Sequence, residues 1–335
     1  MIIKSYGDMA QHLFLRSRNA ELKENISTLS EEFATGKTAN ITERLGGDFT
    51  YLADIENTLS RLDSYKVANG EVQLFATATQ GSLEKIQSQV LSLRNDILSM
   101  SPSMDGAKID QFSSQARQQL ESAISSLNGW AGGRSLFAGT ATNVSPLDDA
   151  DTLMTALVAE VGGLTTSDDI IQAVKDWFAD PAGFDTVMYN GSASSLQPVQ
   201  VGEGEQVSLG LRADDPDLKH ALQSYAIAIL ANEDTLGIGA EVQVEMMRSA
   251  GMELATSNDT LIAVQADVGF IEGRLEAAKA RTAATKTSLS IAKNNLISAD
   301  PFETYTRLEE AQVQLEGLYT VTSRSANLSL LNYIS

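Results

Sequence analysis

The sequence predicts a mainly α protein: a long coiled-coil-like helical rod built from both chain ends, with a small α+β insertion in the middle. Three observations predict it. The six prolines, at 102, 146, 181, 198, 216 and 301, leave the first 101 residues and residues 217–300 free of helix breakers. Two heptad seams of equal length run through those stretches. The charge is concentrated between them: of a net −20, residues 141–245 carry 18 acidic side chains against Lys175, Arg212 and Lys219, a balance of −15.

From the start of the chain, Leu15, Asn19, Leu22, Ile26, Leu29 and Phe33 form a heptad stripe on a first helix. "GGDF" at Gly46–Phe49 is the junction after it. The first long seam steps by three and four residues through Ile55, Leu62, Asn69, Val72, Thr79, Leu83, Ile86, Val90, Leu93 and Met100 without slipping register. A third helix is expected from Ala107 to Leu127, folding back on the first long one, with Ile109, Phe112, Ala116, Leu120 and Ala123 inward. The glycines of "NGWAGGRSLFAGT" end it.

The middle reads as short helices ("TLMTALVAEV", "SDDIIQAVKDWF"), an Asn-Gly turn at Asn190, strand-like alternation in "PVQVGEGEQVSLGL", and a helix in "PDLKHALQSYAIAILA". Ser167 or Asp168 is the expected cap of the second helix. The second seam then runs through Leu254, Leu261, Val264, Val268, Ile271, Leu275, Thr282, Thr285, Leu289 and Ala299. Each seam covers a helix about 69 Å long at ~1.5 Å per residue, so the two are natural partners. The polar seam positions Asn69, Thr79, Thr282 and Thr285 fit a locally wet core, or a device that fixes register. Gly70, Gly81, Gly269 and Gly273 lie off the seams, either tolerated or allowing close approach of a neighbour. Past "SADPF", where Ser298 or Asp300 caps and Pro301 begins a new helix, Leu308, Ala311, Leu315 and Leu318 start a stripe. Val321, Leu328 and Leu331 continue it.

These signals divide the chain into terminal helices (1–45 and 300–335), a helical rod (46–140 and 246–299) and an outward-facing acidic insertion (141–245). The expected rod core is Leu62, Val72, Leu83, Ile86, Val90, Leu93, Leu261, Val264, Val268, Ile271, Leu275 and Leu289. The expected assembly interface is Leu15, Leu22, Ile26, Leu29, Phe33, Leu308, Leu315, Leu318, Leu328 and Leu331. The insertion is expected to be removable without loss of the rod.

Chemistry is hard to place on this chain. It has no Cys, which excludes disulfides and thiolate sites, and its two histidines, His12 and His220, are far apart in sequence. "GKT" at Gly36 has Glu31 where a phosphate loop needs glycine, and "GEGEQV" has Val207 in place of a dinucleotide fingerprint's third glycine. The Asp148–Asp151 and Asp214–Asp217 runs lack the glycine and distal glutamate of a calcium loop and read as helix caps beside Pro146 and Pro216. No catalytic, cofactor or metal site is expected, and no small-molecule substrate. An acidic chain without a basic stripe argues against nucleic acid, and no run is long and apolar enough for a membrane helix. The start, "MIIKSYGDMAQH", has Asp8 where a secretory signal needs its apolar core. The expectation is a cytoplasmic chain, or one exported without a cleaved signal.

Several segments carry a resemblance. "LSEEFATGKTANI", "GRLEAAKARTAATKTSLS" and "DPFETYTRLEEAQVQLEGLYTVTSRSANLSLLNYI" resemble the flagellin superfamily over residues 1–145 and 240–335. The "S-D-D" run usual after the GK element is replaced by "TERLGGDF". "GRSLFAGTATNVSPL" and the ending "LSLLNYI" are more similar to the superfamily's hook–filament junction members than to filament flagellins. The resemblance implies a structural, non-enzymatic subunit of the extracellular bacterial flagellum, sent out through the flagellar type III channel. Its implied partners are copies of itself in a ring, another hook-associated protein, flagellin and an export chaperone. A filament flagellin, a cytoplasmic coiled-coil adaptor and an enzyme in the middle region are the competing readings. On the resemblance, the apolar end stripes are buried by other subunits and order on assembly.

Overall fold

A computed structural model of the chain describes the backbone of residues 2–99 and 105–334, and the side chains of residues 9–99 and 105–324. The protein is mainly α. Its long helices are α1 (Ile2–Thr35), α3 (Thr50–Ser99), α4 (Gly106–Leu127), α9 (Ala240–Ile297) and α10 (Pro301–Ile334), with a single turn, α2 (Ile41–Arg44), between the first two. The middle of the chain adds α5 (Ala150–Glu160), α6 (Ser167–Ala179), α7 (Phe184–Val187) and α8 (Pro216–Leu230). The described strands form two small antiparallel hairpins, β1 (Trp130–Ala131) with β2 (Arg134–Ser135), and β3 (Val199–Gly202) with β4 (Glu205–Val207).

Residues 62–282 make one compact unit, and residues 1–61 with 283–335 make another. Helices α3 and α9 contribute to both. These boundaries differ from those expected on composition, because the acidic middle shares a single core with the seams.

In the 62–282 unit the seams pair antiparallel. Gln73 Nε2 (3.2 Å) and Thr77 Oγ1 (2.9 Å) both donate to Glu272 Oε1, and Gln87 Nε2 donates to Asn258 Oδ1 at 3.4 Å. Val72, Leu83, Ile86, Val90, Leu93, Leu261, Val264, Val268 and Leu275 are buried, while Leu62 and Ile271 are half-buried. Asp105 caps α4, its side chain accepting from Lys108 N at 3.0 Å. Ile109, Phe112, Ala116, Leu120 and Ala123 then face the core as their spacing predicts. The polar seam position Asn69 has a specific task. It is 3% exposed, and its Nδ2 donates to Tyr65 O at 2.9 Å and Val201 O at 2.8 Å, fastening the β3–β4 hairpin onto α3. Thr79 and Thr282 are buried, and Thr285 is exposed.

Helix α8 carries the main surprise. Every residue from Ala221 to Ala231 is buried, among them Tyr225, Ile227 and Leu230 with no exposure. It packs between α4 and α6. A helix apolar on every side must be enclosed, and "SYAIAILA" is such a helix. The acidic residues of this region lie around it: Asp148, Asp149, Asp151, Asp168, Asp169, Asp176 and Asp217 are exposed. Asp149 caps α5, accepting from Thr152 N at 2.8 Å, and α6 is capped by Thr166, one residue before the expected Ser167. Asn190 does not turn a hairpin; its backbone donates to Pro146 O at 2.8 Å.

Two glycine sites are conformationally demanding. Gly132 and Gly133 both have positive φ (56° and 77°), as a two-residue turn between β1 and β2 requires. Gly139 has φ +60°, and a Cβ there would lie 2.5 Å from Ser194 O and 2.7 Å from Ser192 O. Gly139→Ala is therefore expected to lower stability by about 1–3 kcal/mol. A thermal melt checks this; an unchanged Tm would show that the 192–194 loop yields freely.

Candidate assembly surfaces

In the unit formed by 1–61 and 283–335, helices α1 and α10 lie side by side. Their junctions are stitched by backbone: Thr38 N donates to Ile297 O at 2.9 Å, and Ala299 N to Gly36 O at 3.0 Å. Asp300 caps α10, accepting from Phe302 N (2.9 Å) and Glu303 N (3.2 Å), with Pro301 first in the helix as the sequence predicts. Lys293 Nζ meets Glu56 Oε1 at 2.7 Å, tying the end of α9 to the start of α3 within the same unit.

The stripes read from sequence face each other across this pair. Leu22, Leu29 and Ala311 are buried, and Leu15, Asn19, Ile26, Leu308, Leu315 and Leu318 are half-buried. Phe33 remains 48% exposed, its ring 5.8 Å from that of Tyr305. Leu289, from the second seam, is half-buried in this unit. Leu328 and Leu331 lie outside the residues whose side chains are described. The pair runs antiparallel: Phe33 meets Tyr305, and Lys23 Nζ sits 5.9 Å from the Tyr319 ring centre. Lys23, and next Asn19, bond the Tyr319 phenol and hold its pKa below the usual value. At the other end Tyr305 Oη donates to Glu309 Oε1 at 2.7 Å, which holds the Tyr305 pKa above it.

A second apolar set lies on the outside of the same helices. Met9, Leu13 and Phe14 on α1, and Phe302, Val313 and Val321 on α10, are all more than half exposed, Phe302 at 82%. Sequence reasoning missed this set except for Val321, which it placed on the inner stripe and which is 52% exposed instead. The signal was present, because Met9 and Leu13 stand four residues apart and lie off the Leu15–Leu22–Leu29 stripe.

Residues 254–334 match the family described as the bacterial flagellin C-terminal helical region. The match spans about a quarter of the chain, most of α9 and all of α10. Among solved structures the chain is similar to the crystal structure of Bacillus cereus FlgL, at 12% identity and a TM-score of 0.52, covering 72% of this chain and 100% of that one. A structure assigned to a flagellar hook-associated protein of Vibrio parahaemolyticus matches at 13% identity and a TM-score of 0.49, covering 73% and 95%. At 12% identity the likeness to the FlgL structure is one of fold. No curated protein sequence matches the chain significantly.

Elsewhere in the chain, polar clusters act as struts between elements. Glu253 on α9 accepts from Lys175 Nζ of α6 at 2.6 Å and lies 2.8 Å from His220 Nε2 of α8. Burial pushes the Glu253 carboxyl up, but the hydrogen bonds from Lys175 and His220 outweigh it and hold it below the usual carboxylate range. Arg212 grips Asp214 through Nε (2.7 Å) and Nη2 (3.0 Å), donates to Ala193 O at 2.7 Å, and its backbone N donates to Asp215 Oδ2 at 2.8 Å. Asp215 precedes α8 but its side chain makes no cap hydrogen bond, so Asp214 and Asp215 bind Arg212 instead of capping as the sequence suggested. Among the described residues no three His, Asp or Glu side chains are placed to hold a metal, and no helix is long and apolar enough to cross a membrane.

Proposed function

We propose that this chain is a structural subunit of the bacterial flagellum of the hook-associated protein 3 kind, joining hook to filament by packing its paired terminal helices against other copies. The observation that carries this reading is the flagellin-type C-terminal helical region over residues 254–334. The outward apolar set on α1 and α10 supports it. Met9, Leu13 and Phe14 stand in water close together on α1, a local apolar cluster of the kind that marks an interaction surface. On this reading the inner stripe, headed by Leu22 and Leu29, holds the pair together, and the outer set meets the neighbour. The subunit is exported unfolded, is extracellular, and has another hook-associated protein and flagellin as neighbours above and below.

Gold-labelled antibody on intact flagella tests the reading. The expected result is a narrow band at the hook–filament boundary. Label along the whole filament would make the chain a flagellin, and label confined to the cell interior would make it an adaptor.

A further inference from the structure

Helix α4 ends beside Ser82 of α3, where a Cβ on Gly129 would lie 3.5 Å from the Ser82 hydroxyl. From there toward residue 62 the α3–α9 pair needs a different third partner, because its own seam is thin. The antiparallel register set by Glu272 and Asn258 brings Asn69 opposite Ala278, and Tyr65 opposite Thr282. These side chains are polar or small, whereas Leu83, Ile86, Leu254 and Leu261 further along are large, apolar and buried. Little apolar area therefore holds the two helices together at this end.

The β3–β4 hairpin takes that place and grips both helices. On α3, Asn69 Nδ2 donates to Val201 O at 2.8 Å, and Tyr65 Oη accepts from Gln200 Nε2 at 3.3 Å. On α9, Arg274 Nη2 donates to Gln206 O at 3.0 Å. Glu205, at the hairpin turn, meets two cations of α9: Arg281 bonds it directly, and Arg274 lies 3.6 Å away. Val201 and Val207 are buried beneath. Packing alone does not seat the hairpin, because an open groove of about 390 Å³ lies between Val72 and Phe75 of α3 and Val199, Val207 and Leu209. The bonds to the two helices complete its hold.

We propose that the hairpin is a strap that keeps the α3–α9 pair closed at this end, and that Glu205 is its latch. The grip on α3 centres on a buried neutral bond, Asn69 being 3% exposed. The grip on α9 is ionic and reaches solvent, with the Arg281 side chain 60% and the Glu205 side chain 24% exposed. Salt weakens ion pairs of that kind and leaves buried neutral hydrogen bonds largely untouched. The strap therefore lets go of α9 first and stays attached to α3. With the latch open, residues 62–76 and 271–282 fray while the deeper seam stays paired.

Amide hydrogen exchange on the full-length chain tests this, because it reads local opening segment by segment. Glu205→Gln keeps the size of the side chain and removes its charge. Amides of residues 62–76 and 271–282 are expected to exchange about threefold faster or more, the scale of one partly exposed ion pair. Those of 83–97 and 254–264 should keep their wild-type rates. Raising the salt concentration should speed the same two segments in the wild type and have little further effect in Glu205→Gln. Unchanged rates in both the variant and the salt series would show that Glu205 latches nothing. An equal rise across all four segments would make Glu205 an ordinary contributor to global stability. Either result overturns the proposal.

Discussion

Ile227→Asp is expected to unfold residues 62–282. Ile227 has no exposed surface and sits on a helix buried from Ala221 to Ala231. Beside it, Ser113 Oγ donates to Ile229 O at 3.2 Å, so α8 and α4 meet without water between them. A carboxylate there has no cationic partner within the core, and burying an unpaired charge costs several kcal/mol even after the group protonates. That is a large share of the 5–15 kcal/mol that stabilises an ordinary domain. Circular dichroism should show loss of the cooperative melt, and proteolysis should cut α4 and α9. Deleting residues 146–240 with a short linker should do the same, because α4 would lose the helix that covers it. A deletion protein that melts cooperatively would restore the middle region to the removable insertion its composition implied.

A chain carrying Leu13→Asp with Val313→Asp is expected to melt within a few degrees of wild type and fail to assemble. Both side chains point to water, at 63% and 67% exposure, so the charges cost the isolated chain little. In a contact between copies, each would bury a charge where apolar surface belongs. Leu22→Asp is the contrast. Leu22 is 4% exposed in the α1–α10 pair, so its loss removes roughly 1.5–3 kcal/mol of burial from the fold itself. Melting curves and incorporation onto hooks, measured together, distinguish the faces. Equal loss of assembly from both variants, with neither melting lower, would mean that α1 and α10 come apart before they meet a neighbour. Secretion is measured alongside, because an export defect would also abolish assembly.

The seams were legible because a three–four spacing of apolar residues has a single physical meaning. Leu83, Ile86, Val90 and Leu93 must face inward together, and so must Leu261, Val264 and Val268. Helix α8 was legible as a helix but not as the centre of the core. Its burial is written in "YAIAILA", which has no polar side, yet the acidic residues flanking it dominate the regional composition. The end stripes were legible as stripes. A stripe states that something covers it and is silent on what, and here Leu22 and Leu29 are covered by the chain's own α10. The seat of the β3–β4 hairpin could not be read, because Asn69 and Tyr65 of α3 and Arg274 of α9 hold it through bonds between segments far apart in sequence.

The stitch between α1 and α10 has a kinetic consequence. Thr38 and Ile297 lie 259 positions apart in sequence, yet share a backbone hydrogen bond. Closing a flexible loop of that length costs about 5 kcal/mol of chain entropy, and contacts of such long range are the slow ones in folding. If residues 62–282 fold first, that loop is already cinched and the ends have a short search left. The terminal pair is then the last element to form. It should also open first: amide exchange along α1 and α10 would report a local opening much cheaper than global unfolding. On that order the exposed Leu13, Phe14, Phe302 and Val313 sit on the element that forms last.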